Sequence, residues 1–313
     1  MSGGGICSNY CHGCFPPSEN LKTTKRQCPS NFNELPSMKT EYTRGGLQGA
    51  SLGSALSEEE IIEYMSLPAL EIDNEDHWSL LNQAGLHTFD DFWDLPREFV
   101  EQVNIRRGGW SGASIVQLPS NGAKHDFYIK RQENQLRFSM RYPLGALTYK
   151  YEATAIRALR GISPSVVEMV CCGFRKIDGT HQGFIVTKEV AGISLEDVNR
   201  PTTCWRSMLP VLRAAGTRLH EFHRTGWSHG ALYPKHMYLN RESEAITLID
   251  FERARKCRNP ETAINRDLSQ FMKRSAWIPD FALYELFKPY QNSYPHILLA
   301  RGLSDEPILA AEY

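Results

Sequence analysis

The chain has 313 residues, 41% hydrophobic and 23% charged, a balance that excludes a disordered or fibrous protein and leaves room for two domains or one two-lobed fold. With 35 Lys and Arg against 36 Asp and Glu, the net charge is -1. That excludes a nucleic-acid binder working through bulk positive charge. No apolar run approaches the ~20 residues of a membrane span. Residues 1–30 lack a signal-like apolar stretch, so the sequence predicts a cytoplasmic protein.

Residues 1–56 are rich in Gly, Ser, Asn, Pro and Thr and have no apolar periodicity, the pattern of a disordered tail. A helical lead-in is expected over 57–105. Ser57 and Glu60 match a capping box ahead of Ile61, Ile62 and Met65. Trp78, Leu81 and Ala84 would share one face of a second helix, stopped by Gly85. A third helix is predicted near Pro96, carrying Phe99 and Val100. From 106 to 191 the pattern becomes strand-rich. Strands are expected at 115–118 and 127–129 around the turn signal Ser120-Asn121-Gly122, and again at 166–172 and 183–190, with a helix at 151–160 between the pairs. Residues 192–313 read as a mainly helical lobe. Leu212, Ala215, Leu219 and Phe222 recur at helical spacing, with Gly226 as C-cap and one strand at 245–249. Tyr284, Leu286 and Phe287 suggest a last amphipathic helix, which could rest on a membrane or, as is more common, pack on the lobe.

The residues able to handle a nucleotide fall in a definite order. Arg107-Gly108-Gly109-Trp110-Ser111-Gly112 can bring backbone N–H groups close to phosphates, although most glycine-rich stretches are plain turns. Lys130 ends a strand, where it can reach phosphate or simply sit exposed. Glu152 can pair with that lysine across a cleft or serve as an acid in a first helical turn. His229-Gly230-Ala231-Leu232-Tyr233-Pro234-Lys235-His236 follows a strong helix. Asp250 ends a strand, placed to hold Mg²⁺ or to form a turn. Together, in this order, they are more specific than any one of them.

This order resembles the protein-kinase-like fold, and more closely the lipopolysaccharide kinase family of the InaA and Kdo/heptose-kinase type. The resemblance runs from about Trp78 to Asp267 and is carried most specifically by Asn104-Ile105-Arg106-Arg107-Gly108-Gly109-Trp110-Ser111-Gly112, Gly230-Ala231-Leu232-Tyr233-Pro234-Lys235-His236 and Asn265-Arg266-Asp267-Leu268. It implies an α+β fold with a small antiparallel-sheet lobe and a larger helical lobe. It also implies phosphoryl transfer from ATP, with Mg²⁺, to a heptose or Kdo sugar of the lipopolysaccharide core at the cytoplasmic face of the inner membrane. Gly109 and Gly112 then resemble the nucleotide-covering loop, Lys130 the phosphate-binding lysine, Glu152 its helix partner, Asp250 the metal-binding aspartate, and Asp267 a brace for the catalytic loop.

The departures bear on mechanism. Ala231 stands where many kinase-like enzymes carry the catalytic aspartate, His236 stands where asparagine is usual, and Asp-Phe-Gly reads Asp250-Phe251-Glu252. Ala231 and His236 resemble the InaA branch. Loss of a general base costs roughly 10²–10⁴ in rate, so an attenuated kinase is expected, with His236 either accepting a proton or only bonding the loop. The alternative is a pseudokinase acting as a nucleotide-sensing or partner-binding module; a peptide kinase ranks below both. Cys7, Cys11 and Cys14 match a radical-SAM spacing, but the chain lacks the β–α units of such a barrel. With Cys28 or His12 they form a zinc-ligand set. Cys171-Cys172 reads as buried packing.

Overall fold

The computed structural model describes residues 70–106, 108–120, 123–198, 204–299 and 302. All of them belong to the unit Leu67–Tyr313. The expected tail over 1–56, the Ser57–Glu60 capping box with its helix, the cysteines at 7, 11, 14 and 28, Arg107, and Asn121-Gly122 lie outside the described residues.

The first elements lay a platform for the sheet. Strand β1 (Leu70–Ile72) leads to helix α1 (Glu75–Gln83), where the Asn74 side chain accepts from His77 N and Glu75 and Asp76 occupy the first turn. The inward face of α1 is His77, Leu80 and Leu81. Trp78, expected to share it, is 59% exposed, because it lies one residue round the helix from His77. Helix α2 (Phe89–Trp93) starts at a complete capping box of Thr88 and Asp91 and buries Phe89, Phe92 and Trp93. No helix forms at Pro96. Instead Phe99 bridges Ser114 and Val100 N donates to the Ala113 carbonyl, so this stretch is held as extended chain beside the sheet.

A six-stranded antiparallel sheet follows, with the order β1-β7-β8-β4-β3-β2. Its strands after β1 are β2 (Asn104–Arg106), β3 (Gly109–Ser120), β4 (Ala123–Glu133), β7 (Met169–Ile177) and β8 (Thr180–Lys188). The short pair β5 (Leu136–Arg137) and β6 (Ala146–Leu147) lies between β4 and helix α3 (Thr148–Leu159). β7 and β8 are longer than predicted because Asp178 and Gly179 both take positive φ, 49° and 80°, the geometry of a tight hairpin turn.

Period-two alternation decides which way the key strand residues face. On β4, Phe127, Ile129 and Arg131 turn toward α1 and α2, where Phe92 stacks on Phe184 with centroids 4.8 Å apart. Arg131 is fully buried, donating to the carbonyls of Phe92 and Leu95 and to Ser114 Oγ, so its charge sits on the acceptor end of α2. Lys130 and Gln132 face the other way, toward α3. There Gln132 Nε2 donates to Thr148 Oγ1 and its Oε1 accepts from Tyr149 N.

The second core is helical. Helix α4 (Trp205–Arg224) buries Leu212, Ala215, Leu219 and Phe222, as the spacing predicts. Gly216 lets α6 (Asp280–Phe287) approach so closely that a Cβ there would lie 1.8 Å from the Leu286 carbonyl oxygen. Helix α6 buries Ala282, Leu283, Leu286 and Phe287, so of its two readings the packed one holds. Helices α5 (Pro260–Met272) and α7 (Pro295–Leu299) complete the set. This half also carries a three-stranded sheet in the order β12-β11-β9, from β9 (Ile193–Ser194), β11 (Met237–Asn240) and β12 (Ala245–Leu248). A two-stranded pair joins β10 (Trp227–Ser228) to β13 (Arg255–Lys256). Cys171 and Cys172 are buried free thiols. The protein is α+β, with an antiparallel sheet preceding most of its helices.

Candidate active site

Lys130, on strand β4, meets one residue from helix α3 and one from the loop after β12. Its Nζ lies 2.8 Å from Glu152 Oε1 and 3.5 Å from Asp250 Oδ1. Helix α3 starts at Thr148, three residues earlier than predicted, which places Glu152 in its second turn rather than its first. A macrodipole role for the acid is thereby removed. The Glu152 side chain is 1% exposed, whereas Lys130 and Asp250 keep 18% and 27%. The cation and the strand-end carboxylate thus keep partial exposure while Glu152 holds the cation from the buried side.

The electrostatics follow from this layout. Burial works against the Lys130 charge, but Glu152 and Asp250 together outweigh it and raise its pKa. Burial works against the Asp250 charge too, and Lys130, His236 and His229 outweigh it and hold that carboxyl below the usual range. For Glu152, burial dominates and pushes the pKa up, with Asp250 adding to it. Asp250 sits in the left-handed region, φ 69° and ψ 63°, which is strained for a non-glycine residue.

The loop from Ser228 to His236 is fixed by a carboxylate beneath it. Asp267, fully buried on α5, accepts from Ser228 Oγ at 2.9 Å, His229 N at 2.6 Å, Gly230 N at 2.8 Å and His223 Nε2 at 3.0 Å. These bonds, above all those from His223 and Gly230, keep it ionised against the cost of burial. His223 Nδ1 pairs in turn with Tyr290 Oη at 2.7 Å. His229 is satisfied as a neutral ring: Nε2–H donates to the Ile249 carbonyl, and Nδ1 accepts from Ala231 N. Burial accordingly lowers its pKa to about 4.

Ala231 is buried and carries no polar group into the cleft. His236 bonds the loop through one ring nitrogen. Nδ1 donates to the Ala231 carbonyl at 2.8 Å, and Nε2 faces Asp250 Oδ2 at 3.2 Å. The loop bond is present, and the Nε2 lone pair lies on the Asp250 side.

The glycine stretch differs most from expectation. It is not a loop ahead of a strand; Gly109 already begins β3, hairpinned to β2 through Arg106–Gly109 pairing. A Cβ at Gly109 would lie 2.0 Å from the Glu133 carbonyl oxygen, and one at Gly112 would lie 2.5 Å from the Phe99 ring. Close packing within the protein therefore requires both glycines, whatever the hairpin covers.

Three neighbours were not selected by sequence reasoning. Tyr149 has its ring centroid 5.9 Å from Lys130 Nζ. Glu252 Oε2 accepts from Thr148 Oγ1 at 3.3 Å, and Arg137 Nη1 donates to the Glu252 carbonyl at 3.2 Å. Glu252 was noticed only as a missing glycine; Tyr149 and Arg137 leave no motif.

The donor set suits a nucleotide phosphate carrying a hard divalent cation. Glu152 Oε2 is buried without a hydrogen-bond partner, which leaves Lys130 as its counter-charge. Mg²⁺ is commonly held by one or two carboxylates plus phosphate oxygens, and Asp250 supplies one such carboxylate. His236 supplies nitrogen, which Mg²⁺ disfavours. Among the described residues no group of three or more His, Cys, Asp or Glu side chains forms a metal cage.

Comparison with known proteins converges on this region. Protein InaA of Escherichia coli (strain K12) is 31% identical over 216 residues, covering 66% of this chain and 96% of that protein. Among solved structures, the Cydia pomonella granulovirus kinase PK-1 matches with a TM-score of 0.32 and 13% identity, over 47% of this chain and 48% of its own, too weak to carry a fold assignment. The profile of the Lipopolysaccharide kinase (Kdo/WaaP) family matches residues 90–288. Lys130, Glu152, Ala231, His236, Asp250 and Asp267 all fall inside that span, and on the strength of the match and the InaA identity the chain belongs to the Lipopolysaccharide kinase (Kdo/WaaP) family.

Proposed function

We propose that the protein is an ATP-dependent sugar kinase acting on a heptose or Kdo of the lipopolysaccharide core, peripherally at the cytoplasmic face of the inner membrane. The observation that carries the reading is the Lys130 ammonium held between buried Glu152 and partly exposed Asp250. Bound ATP with Mg²⁺ supplies the γ-phosphoryl group and neutralises its developing charge. Lys130 binds phosphate oxygens, and Glu152 keeps it aimed. Asp250 holds the cation. His236 is a positioning residue: its Nδ1–H holds the Ala231 carbonyl, and its Nε2 lies beside Asp250 Oδ2. The β2–β3 hairpin, with Gly109 and Gly112, offers backbone N–H groups over the phosphates. Positioning and charge neutralisation supply most of the catalysis in phosphoryl transfer, so the absent carboxylate at Ala231 slows the reaction without abolishing it.

Calorimetry with ATP and Mg²⁺ tests the site. Lys130→Ala and Asp250→Ala should each lower affinity at least about tenfold, since a charge-assisted bond contributes ~1.5–3 kcal/mol. Unaltered affinity in both variants overturns the assignment. The pseudokinase reading draws on one specific observation, the apolar Ala231 at the base position; it predicts ATP binding with no transfer to any acceptor.

A further inference from the structure

We propose that the β5–β6 hairpin is a docking surface for an anionic lipid bilayer. Exposed apolar residues elsewhere on the described surface, such as Trp78, Ile162 and Ile177, are scattered singly and call for no explanation. The hairpin is different. Phe138 is 68% exposed, Leu144 is 70% exposed, and Met140 between them is fully exposed. Ile105, 76% exposed, lies on β2, which the hairpin meets through Gln135 Nε2 donating to the Asn104 carbonyl at 2.7 Å.

Charge selects the occupant. Gln135 to Tyr151 contains no Asp or Glu, but it contains Arg137, Arg141 and Lys150. Arg141 and Lys150 lie over the Tyr142 ring, 5.6 and 5.4 Å from its centroid, which gathers two cations at the hairpin, with Glu71 the one acid among the described residues acting on Lys150. Apolar side chains at an acyl–headgroup boundary with cations at headgroup level are the two components of peripheral membrane binding.

The hairpin is also firmly mounted. Leu136 pairs with Leu147 and Arg137 with Ala146; Tyr151 Oη donates to the Arg137 carbonyl, and the Ser139 hydroxyl pairs with the same phenol. Arg137 reaches the carbonyl of Glu252, two residues past Asp250. Docking through this hairpin brings the mouth of the site to the lipid surface. Only that consequence rests on the kinase reading; the docking itself does not.

The test is co-sedimentation of the full chain with extruded vesicles, either phosphatidylethanolamine with roughly one-third phosphatidylglycerol or phosphatidylcholine alone. The wild type should bind the anionic vesicles and not the neutral ones. Phe138→Ser/Met140→Ser/Leu144→Ser should lower binding more than about tenfold, and Arg141→Gln about fivefold. Both variants should keep the wild-type urea midpoint, since the replaced side chains are exposed. Equal binding of wild type and triple variant, no binding to anionic vesicles, or a wild-type dimer that the triple variant loses would each overturn the proposal. A wild type that binds vesicles but not ATP sinks the kinase reading and leaves the docking surface standing.

Discussion

Replacing Lys130 with Met removes the cation bonded to the buried carboxylate of Glu152. Glu152 is 1% exposed, its Oε1 is 2.8 Å from Lys130 Nζ, and its Oε2 has no other partner. Breaking a buried pair by removing one member costs about 3–5 kcal/mol, because an uncompensated charge stays behind. Glu152 is already pushed up by burial and by Asp250, and without Lys130 it rises further and takes a proton instead. The cost then depends on pH. A carboxyl whose folded pKa lies above its unfolded value is fully stabilising below the unfolded value of 4.5 and loses that contribution as pH rises toward the folded pKa. Lys130→Met should therefore lose about 3 kcal/mol near neutral pH and less near pH 5. Urea midpoints across that range give the measurement. Adding Glu152→Gln removes the stranded charge, so the double variant should be more stable than Lys130→Met while its ATP affinity stays low. A single variant as stable as wild type at neutral pH, or a double variant less stable than the single, would refute the account of how Glu152 holds Lys130.

Three further predictions concern the frame of the site. Asp267→Asn leaves one acceptor oxygen for four donors, so about 3 kcal/mol should be lost in denaturant titration. His229 binds its proton only near pH 4 when folded but near 6.5 when unfolded, so stability should fall as pH drops through that window, by about 3 kcal/mol in all. His229→Gln should flatten that part of the pH curve. Gly112→Ala pushes a methyl into the Phe99 ring and should cost about 2 kcal/mol, with Phe99→Leu in the same chain recovering most of it; a lone effect on ATP affinity would contradict the packing explanation.

Much of the site was legible because its signals are local and periodic. Lys130 alternates with Ile129 and Arg131, so a strand buried on one face must turn it to the other. Asp250 follows a strand end, and Leu212 to Phe222 repeats at helical spacing. The misses have physical causes. Asp178-Gly179 is a hairpin signal that carries both flanking strands to the turn, beyond the expected 166–172 and 183–190. Pro96 suggested a helix start, but the complete capping box at Thr88 had already placed one upstream, and Phe99 was taken up by the sheet. Gly109 and Gly112 suggested phosphate contact, while their packing against Glu133 and Phe99 depends on residues distant in the chain. Nothing in the local pattern marks Arg131 for burial, which the carbonyls at the end of α2 make tolerable.

The most direct test of the account is transfer of labelled γ-phosphate from ATP to heptose- and Kdo-containing core acceptors in the presence of Mg²⁺, with Asp250→Ala as control. The account predicts slow labelling of a core sugar by the wild type and none by Asp250→Ala. ATP bound by the wild type with no acceptor labelled would contradict it.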